Sequence, residues 1–166
     1  MTQLTAADDL RDLSRAEHLV LFGFRAMALG HGDCPALRGA FCGLLGADGD
    51  EALCNLMAFV RTVGWRGRRR VRLHTPGCCV LSDDERSVIA AVAAAQLSLF
   101  GDGEGALSER LAELLGGPAD EGCLMAAQAV AAALACHGLT LPERAPPEPA
   151  WFASAAGVSA PSPTLH

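Results

Sequence analysis

Apolar positions along this chain recur at helical rather than strand spacing. Leu10, Leu13, Val20, Leu21, Phe24 and Ala28 fall on one face of a helix predicted over 6–29, because side chains three and four apart are neighbours on a helix. Thr5 is its predicted N-cap, Asp8 and Asp9 suit the positive end of the helix dipole, and Gly30-His31-Gly32 supplies the stop. Asp33-Cys34-Pro35 launches a shorter helix over 36–45, broken by Gly46 and Gly49. A third stripe, Leu53, Leu56, Met57 and Val60, predicts a helix over 50–63.

The stretch from Gly64 to His74 has no such stripe. Its second half alternates charged and apolar residues, which suits a short strand or an extended segment. With no partner strand in view, a loop is the preferred reading. Thr75-Pro76-Gly77 is a turn, and Ser82-Asp83-Asp84-Glu85 is a capping box that starts a helix over 83–99. Asp102 to Gly105 closes that helix. Leu107, Leu111 and Leu114 mark another over 106–115, stopped by Gly116-Gly117-Pro118. The last helix, over 119–137, is nearly apolar after Glu121 and is expected to sit centrally, with Gly138 as its C-cap. The expected fold is all-α: a single bundle of five or six helices over 1–140, with one short extended basic segment.

From Leu141 the character changes. Six of the nine prolines lie between Pro142 and Pro163, so 141–166 is expected to be a Pro/Ala-rich flexible, disordered tail. Trp151-Phe152 within it is a candidate for docking on the domain or on a partner.

Composition narrows the setting. A length of 166 residues suits one domain, and 51% hydrophobic against 19% charged residues opposes wholesale disorder. No apolar run approaches the roughly 18 to 20 residues that span a bilayer, and the start carries no basic, apolar leader. A cytoplasmic protein is expected. All thirteen basic residues are Arg and Tyr is absent, as expected of a GC-rich bacterial genome. Seven cysteines, an odd number, argue for reduced thiols over a disulfide framework.

Against a net charge of −6, six of the thirteen arginines crowd into positions 61–72. Arg66, Arg68, Arg69, Arg70 and Arg72, with Trp65 beside them, are the candidate partner- or anion-binding residues. Guanidinium groups pair with carboxylate and phosphate, and the adjoining helix N-terminus adds free N–H groups. The same arginines can instead pair with the chain's own surplus of Asp and Glu. The acidic whole disfavours nucleic acid without excluding it, and no phosphate-binding glycine motif is present. A protein partner is the favoured occupant, and a homodimer is open.

Two alternatives rest on thiols and imidazole. Cys34, Cys42, His74 and Cys78 have the ligand chemistry for a zinc or iron ion, although their spacing matches no established metal motif. Cys78 and Cys79 lie between an Arg run and a helix start, both of which favour thiolate, so either is a candidate redox thiol; the acidic residues that follow oppose it. No catalytic residues are assigned. The leading expectation is a small accessory or regulatory protein that binds another macromolecule through the basic segment. The alternatives are a metal or redox protein using His74 and Cys78, and an enzyme with an anionic substrate.

Overall fold

In a computed structural model that describes residues 10–101 and 103–143, the apolar stripes become six α-helices. These are α1 (Arg15–Ala28), α2 (Pro35–Leu45), α3 (Gly49–Arg66), α4 (Asp83–Ser98), α5 (Glu104–Leu115) and α6 (Glu121–Ala135), with 3-10 turns at Leu10–Asp12 and Gly46–Asp48. Among the described residues there is no strand, and no helix is long and apolar enough to cross a membrane. The fold is a helical bundle.

Helix α1 starts later than its periodicity suggests. Ser14 and Glu17 close a capping box, with Glu17 N–H donating to Ser14 Oγ at 3.3 Å and Ser14 N–H donating to Glu17 Oε2 at 2.6 Å. Ser with Glu three residues on satisfies two orphan donors at once, so the helix begins at Arg15, and Leu10–Asp12 forms a separate turn. Thr5, Asp8 and Asp9 lie outside the described residues. Helix α3 also differs, running beyond Val63 through Gly64 and Trp65 to Arg66. Gly64, Trp65 and Arg66 are exposed, and the extra turn, formed despite the roughly 1 kcal/mol that Gly64 costs, is closed by Gly67 N–H on the Val63 carbonyl at 2.9 Å and by an ion pair from Arg66 to Asp120.

Helix α4 is the most enclosed element. Val88, Ile89 and Ala91 to Ala95 are all buried, and the alanines let α1, α5 and α6 approach it from several sides. Helix α6, expected at the centre, packs on α3 and α4 but leaves Met125 exposed. It ends at Ala135 with Cys136 as C-cap, short of the expected 137; Gly138 takes φ 68° just beyond, and Leu139 N–H reaches back to the Leu134 carbonyl at 3.0 Å. The chain beyond α6 stays tied to the bundle as far as Leu141. Buried Gln96 donates to the Leu139 carbonyl and accepts from Leu141 N–H, each at 2.8 Å. Residues 144–166, with Trp151 and Phe152, lie outside the described residues.

Candidate functional site

The connection from α3 to α4 threads between two helix ends, and its basic character explains the route. Arg68 N–H donates to the Leu115 carbonyl at 2.7 Å, and Arg69 Nε donates to the Glu113 carbonyl at 3.0 Å. Both carbonyls belong to the last turn of α5, where they lack intrahelical donors and carry partial negative charge. Gly116 and Gly117 open the path: a Cβ at Gly116 would stand 3.1–3.2 Å from the Arg69 stem, and one at Gly117 would stand 2.9 Å from Arg68 Cδ.

The other side of the segment rests on α4. Asp84 accepts from the Arg69 guanidinium at 2.6 Å and from Arg72 N–H at 2.6 Å, while Ser82 Oγ donates to the Arg72 carbonyl at 2.7 Å. Arg66 pairs with Asp120 at 3.1 Å. The Asp120 carboxyl is held below the ordinary range by the bonds it accepts from Cys123, with the Arg66 charge contributing. Two of the five candidate arginines are therefore engaged with carboxylates of this chain. The helix N-terminus expected to help bind an anion is closed too, since Glu85 N–H donates to Ser82 Oγ at 3.1 Å and Asp83 and Asp84 occupy its first turn.

What remains open is a smaller group. The side chains of Arg68, Arg70 and Arg72 are exposed and make no hydrogen bond or ion pair among the described residues. Trp65 is 82% exposed in the final turn of α3, four residues after exposed Arg61 and so on the same helix face.

Beneath the connection lies an arrangement that the periodicity did not reveal. Arg25 of α1 is 1% exposed and Glu85 of α4 is 0% exposed, and they meet through Nε–Oε1 at 2.6 Å and Nη2–Oε2 at 2.8 Å. The remaining Arg25 donors reach the Cys78 and Val80 carbonyls at 2.7 Å each, with a longer contact of 3.5 Å to the Thr75 carbonyl. Glu85 also accepts from His74 N–H at 2.7 Å and Ser82 N–H at 2.8 Å. Every donor of the guanidinium and every usual acceptor position of the carboxylate is thereby filled. Burial pushes the Glu85 carboxyl up, but the Arg25, Ser82 and His74 bonds outweigh it and leave the group below its ordinary range. The available signal was one charge, Arg25, next to Phe24 on the buried stripe of α1.

The thiol and imidazole candidates are dispersed. Cys34 is the N-cap residue of α2, Cys42 lies on α2 beside Asp50 with Sγ 3.9 Å from Oδ1, and His74 and Cys78 lie in the connection. Among the described residues no group of three or more His, Cys, Asp or Glu side chains is placed to hold a metal. His74 Nδ1 stands 3.7 Å from Glu85 Oε2. Cys78 N–H closes the turn onto the Thr75 carbonyl at 2.9 Å, and Cys79, exposed, accepts from Leu10 N–H at 3.0 Å through its carbonyl.

Comparison with protein-family models, with curated proteins and with solved structures finds no match.

Proposed function

We propose that this protein is a small accessory or regulatory protein that captures an acidic protein segment on the face formed by Arg68, Arg70, Arg72 and Trp65. The observation that supports this is the set of three exposed guanidinium groups, unengaged among the described residues, on a chain of net charge −6. Arginine and tryptophan are among the residue types over-represented where partners bind most tightly. The main chain at Arg68 and Arg72 is held by the end of α5 and by Asp84, so binding has side chains rather than this backbone to order. The acidic remainder of the molecule repels a polyanion such as nucleic acid, whose charge extends well beyond one local patch.

A photo-cross-linking residue in place of Trp65 tests the reading in cells. It is expected to trap a discrete protein partner, and Arg70→Glu with Arg72→Glu is expected to abolish the cross-link. A cross-link of unchanged yield in the charge-reversed chain overturns the proposal.

A further inference from the structure

Helix α1, from Arg15 to Arg25, borders a concave cavity of about 490 Å³. Its walls are apolar: Leu19 and Phe22 from α1, Leu44 from α2, Leu10 from the preceding turn and Pro76 from the α3–α4 connection. Arg15 and His18, both exposed and close together in the first turn of α1, also line it. The volume lies within the range of small-molecule sites, which join a mostly apolar wall to a few placed polar groups.

Three features point to a ligand rather than a packing defect. The cavity wall is held in place. Arg25 lines the cavity and donates to the carbonyls of Cys78 and Val80 and, at 3.5 Å, to that of Thr75, which fixes the turn carrying Pro76. The charge in that first turn is unspent. Arg15 makes no hydrogen bond or ion pair among the described residues, and His18 uses only Nδ1, 3.1 Å from the Ser14 carbonyl, which leaves Nε2 for a ligand. The acidic neighbour on the same turn is turned away, since Glu17 is buried and engaged with Ser14.

The geometry points to a binding site for a single-chain amphiphile with a carboxylate head, its chain between α1 and α2 and its head at Arg15 and His18. The apolar walls take the chain, and a guanidinium is suited to a carboxylate in bidentate contact. No covalent step is involved, and none of Arg68, Arg70 and Arg72 lines the site.

Calorimetric titration of the full chain with sodium decanoate, and in parallel with neutral decanol, tests the assignment. Saturable one-to-one binding is expected, with decanoate at least fivefold tighter than decanol. Arg15→Ala is expected to remove that preference while leaving decanol binding unchanged. Leu44→Glu, at a partly exposed wall position, is expected to abolish binding of both without altering the thermal midpoint. Absence of saturable decanoate binding, equal affinities for the two in the native chain, or full binding by the Leu44→Glu variant would each overturn the inference.

Discussion

Arg25 and Glu85, sixty positions apart in sequence, form a bidentate ion pair that neither side chain shares with solvent. Two charges taken out of water repay their desolvation only when the remaining donors and acceptors are also satisfied, and here the polypeptide from Thr75 to Ser82 supplies them. The pair thus does more than join α1 to α4. It shapes a connection that has no regular secondary structure of its own.

Removing one partner is expected to be far worse than removing both. Arg25→Met or Glu85→Leu alone strands a buried charge and is expected to cost about 3–5 kcal/mol. The double variant is expected to recover a substantial part of that loss in urea unfolding. Its 75–80 turn, deprived of the guanidinium, is expected to be cleaved by protease faster than in the native chain.

Acid is expected to weaken the fold through the same carboxylate. The Glu85 carboxyl is lower in the folded chain than in the unfolded one, so the unfolded state binds its proton first as pH falls. The stability it contributes is complete above the unfolded value and is lost as pH drops through the folded one. Unfolding free energy is expected to be level from about pH 7 to 5 and to decline below about pH 4. Glu85→Gln is expected to flatten the decline without abolishing it, because Asp50 and Asp120 are lowered as well. An identical slope in the variant would contradict the assignment.

The end of α5 is a second point of leverage. Gly116 takes φ 68°, a left-handed conformation that costs other residues about 1–2 kcal/mol, and its space is bounded by the Arg69 stem. Gly116→Ala is expected to lower stability by about that amount in urea. A neutral result would contradict the left-handed conformation of Gly116 at this helix end.

Thiol reactivity is expected to follow the burial pattern. Cys123 is buried, and burial together with the Asp120 carboxylate pushes its thiol up. Cys54, Cys79 and Cys136 are exposed. Titration with an aromatic disulfide near pH 8 is expected to label these three first and Cys123 only on unfolding. Rapid labelling of Cys123 in the native chain would contradict the packing of α6.

The helices were legible because a stripe at 3.6-residue spacing is a local property. The Ser82–Glu85 box and the glycine stops were read for the same reason. The start of α1 was misplaced because Leu10 and Leu13 continue the stripe, and only the Ser14–Glu17 bonds reveal where the helix begins. The clustering of arginine was visible in sequence, but its division was not. Whether a guanidinium faces solvent or Asp84 depends on how α4 and α5 bracket the connection. The Arg25–Glu85 pair was hidden for the same reason, since partners sixty residues apart leave no periodic trace.

The most direct test of the account is the affinity of the purified chain for a fluorescent glutamate-rich peptide, followed by anisotropy at increasing salt. Binding is expected to weaken steeply with salt. Arg70→Glu with Arg72→Glu is expected to weaken it at least tenfold with an unchanged urea midpoint, whereas Arg38→Ala, at an arginine already paired with Asp50, is expected to have no effect. Equal affinity in the native and charge-reversed chains would contradict the claim that these guanidinium groups form a binding face.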